Sequence, residues 1–103
     1  MEKIGYRIYT LQNPINGDIF YVGKSFMPLS TRLQGHIWES YQEKRKWVNK
    51  KKGALIRAII NSKSKPIIEE LEICENEEQY DSSEKYWIAQ LFAWGCPLLN
   101  IRK

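Results

Sequence analysis

Residues 4–11 alternate as a strand should, with Ile4, Tyr6 and Ile8 on one face and Arg7 and Tyr9 on the other. Asn13-Pro14 and Asn16-Gly17 then punctuate the chain, and Asn-Gly favours the positive φ angles of tight hairpin turns. A second strand runs from Ile19 to Val22 and closes at Gly23, which makes a β-hairpin. Beyond Pro28, a first-turn residue, Leu29, Leu33, Ile37 and Tyr41 recur every four residues as a helical stripe. Arg32 and His36, also four apart, point together on a neighbouring stripe. A second helix is expected from about Lys52 to Asn61, burying Leu55, Ile56, Ile59 and Ile60. Pro66 precedes a third strand with Ile67, Leu71 and Ile73 as its apolar positions. Asp81 can cap a last helix that turns Trp87, Ile88, Leu91 and Phe92 inward and stops at Gly95 and Pro97. The apolar tail Leu98-Leu99-Asn100-Ile101 should dock back onto the core. The order β-β-α-α-β-α describes an α+β domain, a small three-stranded sheet covered by helices.

The chain of 103 residues fits one domain, 1–103, without repeat or linker. Hydrophobic residues at 43% and aromatics at 13% suffice for a core and exclude a disordered composition. No apolar run reaches the roughly 20 residues of a bilayer span, and no apolar leader opens the chain. A soluble, intracellular protein is the expectation, with no membrane partner. Cys74 and Cys96, without CxxC spacing and with His36 as the only histidine, make a poor zinc set and read as reduced core residues.

Charge changes the picture more than composition does. The net +4 divides into +9 over residues 1–65, where 13 Lys and Arg face 4 Asp and Glu, and −5 over residues 66–103, where 3 face 8. The densest stretch holds Lys44, Arg45, Lys46, Lys50, Lys51, Lys52 and Arg57. It reads either as a solvated surface or as the footprint of a polyanion, with Lys46, Lys50, Lys51 and Lys52 as candidate nucleic-acid contacts.

Some residues fit structure less comfortably. Glu84 stands three before Trp87, four before Ile88 and seven before Leu91, at the start of the apolar stripe, where an unpaired carboxylate is costly. Asp81-Ser82-Ser83-Glu84 also reads as a capping box, and spacing alone favours that reading over a metal or catalytic role. Tyr9 and Tyr21 lie on paired strands, where tyrosine is an ordinary core residue. Gly23 allows a close approach to the backbone or simply turns the chain. Lys24, Arg32 and His36 add donors nearby. Phosphodiester hydrolysis could use such a set: Arg32 to clamp phosphate oxygens, and Glu84 to hold one hard cation that keeps most of its waters. Two-metal chemistry needs more clustered carboxylates, and Glu2, Asp18, Glu39 and Glu43 are not spaced to join Glu84.

These residues resemble the GIY-YIG nucleases. Arg7-Ile8-Tyr9, eleven residues, then Tyr21-Val22-Gly23 looks like the two-part signature, with Arg7 where the first glycine would stand. Arg32 follows Tyr21 by eleven and His36 by four more; Glu84 precedes Lys85-Tyr86-Trp87-Ile88; Asn100 lies near the end. The resemblance implies a three-stranded antiparallel sheet flanked by helices and a DNA endonuclease using one Mg²⁺ or Mn²⁺ on Glu84. It implies that Arg32 stabilises the pentacovalent phosphate and that Tyr9 or Tyr21 orients or deprotonates the water. His36 would relay the proton or bind phosphate, Asn100 would brace the site, and Lys24 would contact phosphate. A nucleic-acid-binding module without catalysis is the rival reading. Cutting both strands would take a dimer or two successive events, and fusion to a DNA-recognition domain would supply specificity.

Overall fold

A computed structural model describes residues 5–42, 44–45 and 48–100. Ile4, Lys46 and Ile101, assigned above to a strand face, the basic stretch and the docked tail, lie outside them. The elements are β1 (Tyr6–Gln12), β2 (Ile19–Ser25), α1 (Leu29–Ser40), α2 (Lys50–Asn61), β3 (Ile67–Cys74) and α3 (Glu77–Ala93), in the expected order. β1 is the central strand, antiparallel to β2 on one side and to β3 on the other. Among the described residues no helix is long and apolar enough to cross a membrane.

The sheet carries a core on each face. Ile8, Val22 and Cys74 meet Tyr80 and Leu91 of α3 on one side. Tyr9, Leu11 and Phe20 meet Ile56 and Ile59 of α2 on the other, with Leu29, Leu33 and Ile37 of α1 packed against them. Both cysteines are free; Cys74 is in the first core and Cys96 packs against it. The hairpin loop is longer than an Asn-Gly turn needs. The Gly17 N–H donates to the Asn13 carbonyl at 2.8 Å, and Gly17 has φ +81°, a conformation glycine adopts without penalty.

Several side chains depart from the pattern, each for a geometric reason. β2 continues past Gly23 to Ser25. Tyr41 is exposed, because residues four apart drift around a helix by about 40° per step and α1 ends at Ser40. Ile67 and Ile73 are exposed: a bulge at Leu71, between the Ile8–Glu72 and Tyr9–Glu70 pairs, breaks the alternation that put them on one face with Leu71.

The largest shift concerns α3. It starts at Asn76, whose side chain accepts from the Gln79 N–H at 2.8 Å, while Gln79 Oε1 accepts from the Glu75 N–H at 3.1 Å. Asp81 is therefore interior to the helix and caps nothing, and Glu84 is not a capping-box partner. The inward stripe begins with Tyr80 and includes Trp87 and Leu91, which leaves Phe92 exposed. Glu72 of β3 fastens this helix, accepting from Trp87 Nε1 at 3.0 Å, Ser83 Oγ at 3.1 Å and Gln79 Nε2 at 3.0 Å. The Trp87 donor holds its carboxyl below the usual range, with Gln79 and Ser83 adding to the effect.

Asn76→Ala should accordingly lower stability by about 1 kcal/mol in urea denaturation, the usual loss for an N-cap. Asp81→Ala should stay within about 0.5 kcal/mol, as exposed positions without a cap do. The opposite ranking would return the cap to Asp81.

Candidate active site

Tyr9 and Gly23 are opposed in the β1–β2 register. A Cβ on Gly23 would overlap the hydroxyl oxygen and Cζ of Tyr9 and lie 2.9 Å from Cε2 of Tyr21. The missing side chain is thus the space in which the Tyr9 ring lies across β2, with Tyr21 beside it. Close approach, and not a special φ, is why glycine stands here.

The Tyr9 hydroxyl ends against α1. Its oxygen is 2.5 Å from His36 Nε2, and both residues are 0% exposed. His36 also meets the Tyr21 ring edge-on, with centroids 5.2 Å apart. Its other nitrogen, Nδ1, lies 2.9 Å from Nζ of Lys52, a residue only 5% exposed. Lys52 Nζ also sits 4.4 Å from the Tyr21 ring centroid, a cation–π contact. Burial lowers the His36 pKa to about 2, helped by Lys52 and Arg32. Burial raises Tyr9 above the usual phenol range and Arg32 pulls against it; Tyr21 is raised for the same reason.

Arg32 and Glu39, about one turn before and one turn after His36 on the same helix, complete this side. Glu39 pairs with Arg32 Nη1 at 3.7 Å and with Lys52 Nζ at 3.7 Å. Burial lowers the Lys52 pKa, and Glu39 opposes that. Glu84 approaches from α3. Burial raises its carboxyl, with Lys24 at 3.9 Å in opposition. Lys24 is more tightly engaged by Asp81, one turn before Glu84. Tyr21, Arg32, Glu39, Lys52, Glu84 and Asn100 together line a cleft of about 290 Å³.

Asn100 holds the outer wall. Its Oδ1 accepts from the Val22 N–H at 3.0 Å and its Nδ2 donates to the Val22 carbonyl at 2.7 Å. The Leu99 N–H donates to the Phe20 carbonyl at 2.7 Å, so the tail lies along the free edge of β2.

The candidate residues thus divide. Tyr9, Tyr21, Arg32, His36, Glu84 and Asn100 converge on this edge, with Tyr9 and His36 behind the cleft wall. The basic stretch splits: Lys50 and Lys51 are exposed at the start of α2, whereas Lys52 turns inward and Arg57 donates to the Ser40 carbonyl. Lys24 is bound to carboxylates. The pattern above passed over Glu39 and the inward turn of Lys52. Lys52 stands four before Ile56 and seven before Ile59, on the buried stripe itself, and that spacing was the available signal.

No group of three or more His, Cys, Asp or Glu converges to hold a metal among the described residues. A closed protein cage is excluded there. A half-buried Glu84 carboxylate on an open cleft fits a hard cation that keeps its waters and takes further oxygens from phosphate.

The domain is α+β, with paired tyrosines over a glycine, a buried histidine and a carboxylate on the cleft. The chain belongs to the GIY-YIG family, a family of nuclease type: the model of the GIY-YIG catalytic domain matches residues 5–95. No curated protein and no solved structure gives a significant match.

Two predictions come from this geometry. Gly23→Ala should destabilise by about 1–3 kcal/mol, the range for overpacking. The loss should largely vanish in a Tyr9→Ala background, measured as a double-mutant cycle; strictly additive losses would place the ring elsewhere. The second concerns pH. The unfolded chain protonates His36 near 6.5, but the folded chain does not until about 2. Stability should therefore fall as pH drops below 6.5, by up to about 1.4 kcal/mol per unit. Glu84 acts oppositely in the carboxylate range, since its folded pKa is raised. His36→Gln should flatten the slope between pH 6.5 and 5; an unchanged slope would rule out a buried neutral imidazole.

Proposed function

We propose that this chain is a metal-dependent endonuclease that hydrolyses DNA phosphodiester bonds with a water activated by the tyrosine pair. The observation that carries the reading is the convergence of Tyr21, Arg32, Glu84 and Asn100 on one cleft, with Tyr9 and His36 directly behind Tyr21. Family membership supports the nuclease class.

Arg32 is placed to meet non-bridging phosphate oxygens with a planar fork of donors. Glu39, its partner at 3.7 Å, limits the rotamers it samples before substrate arrives. Tyr21, on the cleft wall, orients the water, and the Tyr9 hydroxyl lies within the same buried group. Glu84 would hold one Mg²⁺ or Mn²⁺, whose charge would offset that developing on the leaving oxygen. Among the described residues Asn100 makes its hydrogen bonds to the backbone of β2, which suits a brace for the wall carrying Tyr21.

The basic surface supports a polyanionic substrate. Lys50, Lys51 and Lys52 occupy the first turn of α2, which has no acidic residue. That placement opposes the helix dipole and weakens the helix locally. It also adds charge to backbone N–H groups that favour phosphate. Lys50 and Lys51 are the outward members, continuous in sequence with exposed Lys44 and Arg45 and with Lys46. Cleavage of both strands would require two sites, supplied by a dimer or by successive encounters, and a fused recognition domain would add specificity.

The test is plasmid nicking with and without Mg²⁺, followed on matched variants. Arg32→Ala should slow cleavage by roughly 10²–10³-fold, the scale for one positioned donor. Glu84→Gln should abolish cleavage or shift it to much higher Mg²⁺, while melting temperature stays or rises because a half-buried charge is removed. DNA binding should persist in both. Full cleavage by Glu84→Gln would remove the metal from that residue, and parent protein that binds DNA without cutting it would be the binding module.

A further inference from the structure

Lys52 is a lysine that should not be where it is. Its neighbours in sequence, Lys50 and Lys51, are exposed, yet it is buried against a histidine, a tyrosine face and, among the described residues, one carboxylate at 3.7 Å. A cation held in this way is retained for what it touches, and what it touches is the far nitrogen of the imidazole bonded to Tyr9.

Hydrogen-bond chemistry decides what that contact can be. An ammonium has three donors and no acceptor. Placed 2.9 Å from Nδ1, it requires that nitrogen to present a lone pair. A neutral imidazole then carries its one hydrogen on Nε2, pointing at Tyr9 Oη 2.5 Å away. An imidazolium would turn an N–H toward the ammonium and is excluded beside it. We propose that Lys52 is a positioning residue for the tyrosine site: it fixes His36 as the Nε2–H tautomer, so that His36 donates to Tyr9 Oη and supports a phenolate instead of accepting the tyrosine's proton.

The consequence for Tyr9 is directional. Arg32, its other polar neighbour, is also a donor only. With His36 locked as a donor, the hydroxyl hydrogen of Tyr9 has no acceptor in either residue. Tyr9 is 0% exposed, so that hydrogen leaves only to a water admitted from the cleft that Tyr21 lines, and the O–H electron pair stays on oxygen, where the Nε2–H and the guanidinium meet it. The role of Lys52 rests on the nuclease reading only where cleavage is measured; the tautomer exists with or without substrate.

The groups around the imidazole are Tyr9 of β1, Tyr21 of β2, Arg32 and Glu39 of α1 and Lys52 of α2, with Glu84 of α3 acting on Tyr21. His36 is the single histidine, so ring-¹⁵N labelling reports it alone. In the parent, ¹⁵N spectra from pH 6 to 9 should show Nε2 protonated and Nδ1 bare. Lys52→Met should lose that preference, and Lys52→Arg, still a donor, should keep it. Cleavage by Lys52→Met should fall at least about tenfold at neutral pH, the scale on which outer partners of functional histidines act. Its pH–rate profile should move to higher pH. Lys52→Arg should recover most of the rate. A parent spectrum showing Nδ1–H or imidazolium overturns the proposal, as does Lys52→Met cutting with the parental profile. Should Lys52→Met fail to fold, the parent spectrum and Lys52→Arg decide. Should the parent cut no DNA, the nuclease reading fails alone and the spectra still decide the role of Lys52.

Discussion

The structure depends on one buried hydroxyl. Tyr9 points out of the central strand, crosses its neighbour at the only residue that leaves room, and ends on an imidazole from α1. With both residues fully buried, an unmade bond there would cost about 1–3 kcal/mol. That requirement propagates outward. It sets Gly23 opposite Tyr9 and turns the Arg32–His36 stripe of α1 inward. It also brings the first turn of α2 against the second ring nitrogen. A polar chain of Tyr9, His36 and Lys52 that links β1, α1 and α2 specifies their relative placement more sharply than the aliphatic contacts of Leu11, Ile56 and Ile59 around it, which tolerate repacking.

Charge is arranged against stability in the same region. Three lysines begin a helix whose dipole disfavours them, one of them buried. A carboxylate occupies the inward stripe of α3, with Lys24 at 3.9 Å and more tightly held by Asp81. Elsewhere the molecule solves its polar problems well: Glu72 takes three donors from α3, and Asn49 and Asn76 cap their helices. The contrast is between a well-satisfied periphery and an edge where charges are held against their local preference, and that edge is the candidate site. Local rules are broken where function requires it.

Most of the architecture was legible from periodicity, because strands and helices impose different repeats on the same apolar alphabet. The errors cluster where a repeat is interrupted or drifts. One extra residue at Leu71 misassigned Ile67 and Ile73, and a stripe counted in fours ran past the end of α1 to Tyr41. The start of α3 was misplaced because Asp81-Ser82-Ser83-Glu84 and Asn76-Glu77-Glu78-Gln79 are both plausible caps, and only packing chooses between them. Of the site, the signature tyrosines, Arg32, His36, Glu84 and Asn100 were visible as residue types at telling separations. The inward turn of Lys52 was passed over: among three consecutive lysines, only its spacing of four and seven from Ile56 and Ile59 marks it as the buried one. Glu39 was discounted because its distance from Glu84 in sequence hides their common cleft.

The candidate site lies at the edge of the sheet, and the edge imposes its own constraint. β2 is an outer strand, and an outer strand leaves N–H and C=O groups unpaired. A fourth strand would satisfy them, but it would also lie where the cleft opens. The tail resolves the conflict with fewer atoms: the Leu99 N–H takes the Phe20 carbonyl, and the single amide of Asn100 takes both the N–H and C=O of Val22. A side-chain amide reproduces the pairing of a strand residue over one residue's length and then stops. Backbone satisfaction is reached next to Tyr21 without covering it, and the wall that carries the tyrosine is held rigid from outside while its inner face stays open. An aspartate in place of Asn100 could accept from Val22 but could not donate to it, so the exchange would leave the Val22 carbonyl unmet and add a charge beside Glu84. The asparagine is therefore required by its two-sided hydrogen bonding, and its place in the site follows from the geometry of a sheet edge.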